Sequence, residues 1–484
     1  MTTEPKTPHR VNVCVIGAGP AGSALAIRLA QFGHDVCIVE RSEFPRSHIG
    51  ESLSPGIWPQ LELLGAGPAV AAAGFLPCRT SLVRWEGDAT VRRDLGRSGG
   101  LLVDRGRFDA VLRDRARALG VRVMQPAILR TRTCRDDGWR LDIETADGIT
   151  ALAARFLADA SGRSAVLRGR KLRAGPRTLA LYGYWRGSRI PDEPRIEAGA
   201  NAWYWGVPLP DGTYNAIVFV DAADFRARGP TSLSATYHAL ISRSGLMSAC
   251  HDVRLFGRVR AADATPHLDS DSIGLRSIKV GEAALALDPL SSSGVQKAIN
   301  TALAGAVVVN TLLRYPLLAD AATRFHNSNL SESSDRHRRW AARHYAVANR
   351  AGRFWQARAI GAAAESDPTE PLIDVGRFCS PDLPVMLSPE VTLDDQPCIV
   401  GDLVTMRPAL YHPCLERPVA FIGGWEVAPL LRPMHAGIAL GALMNAWQIP
   451  TRLKPAIANW LLKHRVLRPH HGLNGLEKEC FNQP

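Results

Sequence analysis

A glycine-rich turn between an apolar strand pattern and a helix pattern constrains the fold of this chain more than any other feature. Residues 11–16 read VNVCVI, and GAGPAG follows before a stretch with helical apolar spacing. Gly17 permits the tight turn, Gly19 lets the backbone approach a pyrophosphate, and Gly22 lets the helix pack on the strand. The next strand pattern ends at Glu40, an acid placed to accept ribose hydroxyls. This order predicts a βαβ unit that binds a dinucleotide.

A second glycine cluster does not carry the same prediction. The segment GAGPAV at residues 65–70 follows a helix pattern, and Val70 stands at the third glycine position. We interpret it as a helix terminus, so the chain has one dinucleotide site and no separate nicotinamide domain. A single site of this kind favours FAD over NAD as the bound ligand.

Composition narrows the class of protein. The chain has 484 residues, 46% of them hydrophobic, which is enough apolar sequence for a sizeable core and excludes a disulfide-stapled scaffold. The net charge of +12 comes almost entirely from arginine, which fits a general preference for arginine in the composition or, alternatively, a basic surface that attracts an anionic partner. No basic run is interleaved with aromatic residues, so nucleic acid is not expected. Cys398, Cys414, His412 and His435 fit no zinc spacing, so no metal is expected.

The cysteine pattern and the first residues bear on the compartment. The nine cysteines form no CxxC pair, which suits a reducing environment better than a disulfide framework. The polar start of the chain does not resemble a signal peptide, and no run of about 20 apolar residues is present. We therefore expect a cytoplasmic protein with no membrane partner.

The pattern of strands and helices predicts an α/β fold with a Rossmann-like dinucleotide domain. Alternation of apolar and polar residues from about 175 to 270 predicts an antiparallel substrate-binding sheet inserted into a body that spans residues 1–365. Residues 366–397 are acidic and rich in proline, and we interpret them as a connector. Residues 398–484 then form a small C-terminal α/β domain that could dock a substrate.

Four further segments add a resemblance to a known family. They are RSHIGESL at 46–53, DRGRFD at 104–109, ADASGRS at 158–164, and GEAA at 281–284 with DPLSSSGV at 288–295. In this order, with the glycine turn, they resemble the flavin-dependent monooxygenases, in the branch that contains the flavin-dependent halogenases and geranylgeranyl reductases. The resemblance implies a glutathione-reductase-like fold with bound FAD, although Glu282 stands where the family has an aspartate.

The resemblance and the glycine turn together predict the cofactor-binding residues. These are Gly17, Gly19, Pro20, Ala21, Gly22, Glu40, Arg41, Arg46, Ser52, Arg105, Asp159, Glu282, Pro289, Gly294 and Val295. The family pattern also implies that a helix opening at Gly294 is aimed at the flavin pyrimidine ring. Its N-terminal amides would stabilise the anionic reduced flavin.

The same branch leaves two oxidative reactions open. WYWGVP, at residues 203–208, resembles the WxWxIP motif of halogenases, with valine in place of isoleucine. Halogenases also use an early lysine, whereas this chain has none between Lys6 and Lys171; Arg79 and Arg84 lie near the expected place. Ser291 stands where the free-tryptophan halogenases carry a glutamate. These departures favour hydroxylation through a flavin C4a-hydroperoxide over halogenation of an indole or phenol.

Four residues are candidates for contact with the substrate. Glu51 and His48 could act as general acid or base, although Glu51 could equally cap the next helix. Trp203 and Trp205 are two residues apart on one strand and point to the same face. We therefore expect them to line a pocket for an aromatic substrate or to belong to the hydrophobic core.

The C-terminal domain suggests a large substrate. The chain also resembles the flavoprotein monooxygenases that hydroxylate a peptidyl tryptophan in biogenesis of the tryptophylquinone cofactor of quinohemoprotein amine dehydrogenase. This implies a protein or carrier-bound aromatic substrate, such as the small subunit of that dehydrogenase, and NAD(P)H or a flavin reductase as the electron source. A non-catalytic flavin-binding docking protein and a lipid reductase at a membrane surface remain alternatives.

Overall fold

The computed structural model describes residues 9–227, 232–348, 350–362 and 380–470. The chain divides into two compact units, Met1–Ala364 and Glu365–Pro484. No helix in the described ranges combines the length and the apolar character that crossing a bilayer requires.

The strands of the first unit are short, apart from those of its two larger sheets. They are β1 (His9–Ile16), β2 (Val36–Val39), β3 (Ser52–Leu53), β4 (Leu76–Cys78), β5 (Thr80–Arg84), β6 (Val91–Asp94), β7 (Gly100–Leu102), β8 (Arg122–Met124), β9 (Ile128–Arg135), β10 (Gly138–Thr145), β11 (Gly148–Asp159), β12 (Lys171–Arg173), β13 (Thr178–Arg186), β14 (Arg195–Ala198), β15 (Trp203–Pro208), β16 (Tyr214–Asp221), β17 (Arg254–Asp263), β18 (His267–Asp269), β19 (Ile273–Gly274), β20 (Ser277–Lys279) and β21 (Leu285–Ala286).

The helices of the first unit include two long ones near its C-terminal end. In chain order they are α1 (Pro20–Gln31), α2 (Ile57–Leu63), α3 (Gly67–Ala72), α4 (Arg105–Ala118), α5 (Ala222–Ala227), α6 (Leu233–Ile241), α7 (Gly294–Arg314), α8 (Ala319–Val347) and α9 (Arg353–Arg358).

The first large sheet is the dinucleotide-binding layer. Its parallel strands run in the order β20-β11-β1-β2-β8, and β9 and β10 extend it as an antiparallel hairpin off β11. Val13, Cys14 and Val15 are all fully buried, because a parallel strand is covered on both faces. Helix α1 follows β1 directly and packs against α7. This arrangement confirms the predicted α/β class. A Cβ at Gly281 would lie 2.7 Å from Ala21 and 3.7 Å from Ala298, so the first turns of α1 and α7 lie close together.

The second large sheet is mostly antiparallel, in the order β17-β13-β16-β15-β14-β5-β6. Its strands β13 to β17 lie in the range predicted to hold the substrate-binding sheet, and β5 and β6 join from an earlier part of the chain. One face packs on α6, where Leu181, Trp185 and Tyr214 form a core with Tyr237. The opposite face carries Ala180, Ile217 and Phe219. The two predicted pocket residues, Trp203 and Trp205, lie on this face as well.

The second unit has a core of its own. Its elements are β22 (Pro384–Leu387), β23 (Thr392–Val400), β24 (Leu403–Tyr411), β25 (Phe421–Ile422), β26 (Trp425–Glu426), α10 (Val427–Leu431), β27 (Ile438–Ala439), α11 (Leu440–Ala446), α12 (Lys454–Lys463) and β28 (Leu467–Pro469). Val385 of β22 is fully buried and pairs with β27 and β28. Two parts of the range predicted as a connector, Pro384–Leu387 and residues 392–397, are therefore strand in this unit, and residues 366–379 lie outside the described residues.

Candidate active site

The glycine turn has the geometry of a phosphate-binding loop. Gly17 adopts a φ of +102°, and a Cβ built there would lie 2.7 Å from the carbonyl oxygen of Ala160. A Cβ at Gly22 would overlap the Gly17 carbonyl, so helix α1 can pack this closely only with glycine at that position. Helix α1 begins at Pro20, next to Ala21, and no side chain caps its N-terminus. Its first amides therefore remain available to an anion.

Glu40 lies at the end of β2, beside the glycine turn, and is only 5% exposed. One carboxylate oxygen accepts a hydrogen bond from Ala18 N at 2.7 Å, and the other accepts from Ser42 N at 2.8 Å. These bonds hold the carboxylate at the edge of the loop. Arg41, the next residue, is exposed to solvent.

Two arginines organise the segment that follows. Arg105 is buried and donates to both Asp109 oxygens, at 3.0 and 3.1 Å, and to the Ile49 carbonyl at 2.8 Å. Arg46 lies 3.6 Å from Asp109, and its guanidinium would be 3.4 Å from a Cβ at Gly19. The Nε of Arg46 is buried with no hydrogen-bond partner among the described residues. A buried, unpartnered guanidinium N–H beside the start of α1 fits the phosphates of a dinucleotide.

Asp159 and Glu282 occupy different environments. The Asp159 carboxylate is fully buried and accepts from Ser161 N, Ser161 Oγ and Leu167 N, so it shapes the turn beside Gly17. Glu282 is half-buried and lies 3.4 Å from Arg163. Of these two predicted cofactor residues, only Glu282 retains a side chain open to a ligand.

The N-terminus of α7 lies beside the segment that contains Glu51. Gly294 and Val295 open the helix without a side-chain cap. A Cβ at Gly50 would lie 3.7 Å from Val295, which shows how closely the 46–52 segment passes over the helix end. Pro289 begins the turn before α7, and the Asp288 side chain caps that turn through Leu290 N. Ser52 is half-buried in β3 next to this segment.

Glu51 is the centre of a buried polar cluster, and its side chain is held from three directions. Its Oε1 accepts from Tyr184 Oη at 2.8 Å and from Asn215 Nδ2 at 3.0 Å, and its Oε2 accepts from Gly50 N at 2.8 Å. Burial raises the pKa of Glu51, while these hydrogen bonds and the Arg105 charge oppose the increase. Such a carboxyl can take up or release a proton closer to neutral pH than an exposed one can.

A cavity of about 190 Å³ opens beside this cluster. Its wall consists of Ser47, His48, Glu51, Asp104, Arg105, Gly106, Tyr184, Leu209, Asp211, Thr213, Phe256, Gly257, Arg258 and Arg260. His48 is exposed, and its Nδ1 lies 2.8 Å from the Ile49 carbonyl oxygen. The structure therefore brings both predicted acid–base candidates, Glu51 and His48, to one cavity.

The two predicted pocket tryptophans lie on one face of the second sheet but in different surroundings. Trp203 is 1% exposed and stacks on Phe219 with ring centroids 3.8 Å apart. Trp205 is half-buried, two residues closer to the cavity, in register with Ile217 of β16. Trp203 thus belongs to a packed aromatic cluster, whereas Trp205 lies between that cluster and the cavity.

Sequence reasoning missed Tyr184 and Asn215, which hold Glu51. Tyr184 of β13 and Asn215 of β16 are cross-strand partners, and Val207 of β15 pairs with Asn215. Their side chains share the sheet face of Trp203 and Trp205. Extending the two-residue alternation from β15 to β13 and β16 would have placed them on this face, but not at Glu51.

The family models match most of the first unit. Residues 98–377 match the model described as tryptophan halogenase, and residues 10–174 match a model described as FAD binding domain. The tryptophan 2-halogenase of Chondromyces crocatus is 32% identical over 352 residues, which are 66% of this chain and 65% of that enzyme. The chain thus spans slightly less than two thirds of that relative's length.

Two solved structures extend the similarity to the C-terminal unit. The structure of QhpG, a peptidyl tryptophan dihydroxylase essential for tryptophylquinone cofactor biogenesis, superposes with a TM-score of 0.73 at 30% identity, and covers 94% of this chain and 99% of that chain. The flavin-dependent halogenase CmlS superposes with a TM-score of 0.74 at 21% identity, over 95% and 96% of the two chains. The second likeness shows a common fold alone.

Proposed function

The chain belongs to the tryptophan halogenase family of FAD-dependent oxidoreductases, and from this premise we propose that it adds oxygen, not halogen, to an aromatic ring. The proposed substrate is a tryptophan side chain within a protein, during maturation of a quinone cofactor. Similarity to a peptidyl tryptophan dihydroxylase over 99% of that enzyme's chain, including its C-terminal part, supports this choice of substrate.

The chemistry of the cavity wall carries the choice of oxygen over halogen. Among the described residues that line the cavity there is no lysine, and the cations are Arg105, Arg258 and Arg260. Arg79, near the place expected for the halogenase lysine, is exposed, and Arg84 is paired with Glu197. An arginine stays protonated at neutral pH and cannot replace an ammonium group in proton transfer.

When bound, FAD would supply the electrons that activate dioxygen. The residues of the chain would bind the cofactor, position the segment beside it and handle protons. The N-termini of α1 and α7 and the Arg46 guanidinium would hold the cofactor. Arg105 fixes the 46–52 segment through the Ile49 carbonyl. In this proposal Glu51, which accepts hydrogen bonds from Tyr184 and Asn215, would hold or move a proton at the cavity wall. NAD(P)H or a flavin reductase is the proposed electron source.

The test compares a protein substrate with a free one under conditions that allow either reaction. Holoenzyme is reduced with NAD(P)H and a flavin reductase, then given isotopically heavy dioxygen, bromide, and either free tryptophan or a tryptophan-containing precursor of a tryptophylquinone protein. We expect heavy oxygen on the peptidyl tryptophan by mass spectrometry and no modification of free tryptophan. Gly22→Asp, which forces a side chain against the Gly17 carbonyl, serves as the variant without FAD.

Halogenation is the second candidate, favoured by the 32% identity to a tryptophan 2-halogenase and by the WYWGVP segment. A brominated product on either substrate would contradict the oxygenation proposal and support this candidate. If flavin reoxidation proceeds at one rate with and without substrate and no product forms, the chain is instead a flavin-binding docking protein.

A further inference from the structure

Strand β17 forms one edge of the second large sheet. It is ten residues long and pairs with β13 alone, in two regular stretches, 254–256 and 260–263, that a bulge at residues 257–259 separates, so one side of each stretch has no strand beside it in the described part of the chain. A long edge strand of this kind is a template for pairing with another extended segment. The opposite edge, β6 (Val91–Asp94), has four residues. The β17 edge is therefore longer in total, and each of its two regular stretches is no longer than β6.

The edge strand is continuous with the cavity beside Glu51. Phe256 of β17 is in register with Tyr184, which donates to Glu51, and Arg260 is in register with Tyr182. Phe256, Gly257, Arg258 and Arg260 all line the cavity wall. A chain that lay along β17 would pass the mouth of this cavity and could direct one side chain into it.

The charges along β17 are largely uncompensated. Among the described residues, no carboxylate lies within ion-pair distance of Arg254, Arg258 or Arg260, and all three are exposed. The acid of the strand, Asp263, lies 3.8 Å from Arg163. Because arginine stays charged, the strand presents a fixed positive field to a partner.

An aromatic side chain interrupts the arginines. Phe256 is 51% exposed, and the Arg186 guanidinium lies over its ring at 3.8 Å from the centroid. Arginines alone could protect an edge strand from pairing with another chain. An exposed phenylalanine between them would add nothing to that protection. The combination instead offers a partner an apolar contact flanked by positive charge.

We propose that β17 docks an extended, acidic polypeptide segment of the substrate protein by strand addition, and so delivers an aromatic side chain to the cavity beside Glu51. The proposal rests on the proposed function, because it names how a peptidyl substrate would be recognised. Backbone hydrogen bonds to the free edge would set the register, and the arginines would select acidic side chains.

The experiment uses holoenzyme and a defined probe, a labelled synthetic peptide of alternating glutamate and valine with one central tryptophan. Its affinity is measured by fluorescence anisotropy at low and high salt. We expect the double variant Arg254→Glu/Arg258→Glu to weaken binding by at least roughly tenfold, and high salt to weaken binding to the parent. Arg93→Glu, on the opposite edge strand, is the matched control for the single variant Arg258→Glu, because each changes the net charge by the same amount. The control should bind as the parent does, and Arg258→Glu should bind more weakly. All three variants should retain the visible absorbance of bound FAD.

Two peptide controls sharpen the result. A peptide with lysine in place of glutamate should not bind, and the acidic peptide N-methylated at alternate residues along its pairing edge should lose binding, because strand addition needs those amides. The proposal is overturned if the lysine peptide binds as tightly as the acidic one, or if Arg93→Glu loses as much affinity as the β17 variants. It is also overturned if the N-methylated peptide binds with full affinity. Salt-sensitive binding of anionic lipid vesicles without binding of the peptide would also overturn it.

The outcomes separate this proposal from the proposed function. If the acidic peptide binds through β17 but receives no oxygen, the docking surface stands and the oxygenation proposal falls. If a protein substrate is oxygenated equally well by the double variant and by the parent, oxygenation stands and the docking proposal falls.

Discussion

The same face of the second sheet is closed at one end and open at the other. At the closed end, Trp203 and Phe219 pack with Trp85, Tyr345 and Trp355 into an aromatic cluster. At the open end, Tyr184 and Phe256 line the cavity, and the buried residues Asn215 and Val207 continue their cross-strand row. Both ends have the same strands and the same alternation of side chains. Only the closed end is covered by α8 and α9, so helix packing decides which aromatic residues become core and which remain near a ligand.

The polar groups at the two ends differ in a corresponding way. At the closed end, buried Asp288 accepts from Tyr345 Oη at 3.0 Å, and its backbone carbonyl oxygen lies 3.0 Å from His337 Nε2. At the open end, Glu51 accepts from Tyr184 and borders the cavity that the family segment at 46–52 also lines, whereas Asp288 and Tyr345 line a separate cavity of about 320 Å³. Each end thus pairs a tyrosine with a carboxyl group. We expect the closed pair to serve stability and the open pair to serve chemistry.

The largest effect is expected from Trp203→Ala at the closed end. Removing a fully buried indole that stacks on Phe219 should lower the free energy of unfolding by about 3–5 kcal/mol, because the packed cluster cannot collapse into the space. Trp205→Ala, at the half-buried position two residues away, should cost less than half as much. Denaturant unfolding of both variants measures the contrast, and equal losses would contradict a closed and an open end.

A smaller effect separates the two tyrosines. Tyr345→Phe removes a donor from a buried carboxylate and should cost about 1–3 kcal/mol of stability, while FAD binding is retained. Tyr184→Phe should cost less than about 1 kcal/mol, because Asn215 and Gly50 still donate to Glu51. It should instead lower the oxygenation rate. Unfolding curves and single-turnover rates of the two variants distinguish the roles, and a reversed order of stability losses would refute the assignment.

The smallest effect concerns the pH dependence of stability. Because burial raises the pKa of Glu51 in the folded state, its stabilising contribution is present in acid and is lost as the pH rises through the folded pKa. Glu51→Gln removes this dependence. The Tm of the variant relative to that of the parent should therefore rise between about pH 4 and about pH 7. Thermal unfolding across this range measures it, with exposed Glu86→Gln as control. A constant difference would show that Glu51 ionises normally.

The cofactor loop was more predictable than the substrate side because its determinants are close in sequence. Gly17, Gly22 and Glu40 lie within 24 residues of one another, and the spacing of a strand, a turn and a helix determines their geometry. The Glu51 cluster joins residues that are 133 and 164 positions apart. No local pattern records such a pairing. It depends on the register between β13 and β16 and on the path of the 46–52 segment.

The sequence by itself determined the α/β class, the dinucleotide turn and the family resemblance, since each depends on local backbone preferences and on motif order. The tertiary structure alone decided that Tyr184 and Asn215 orient Glu51, that Trp203 is core while Trp205 is not, and that β17 is an open edge beside the cavity. The physical reason is that burial and hydrogen bonding between distant segments depend on sheet order and on which helices cover which face.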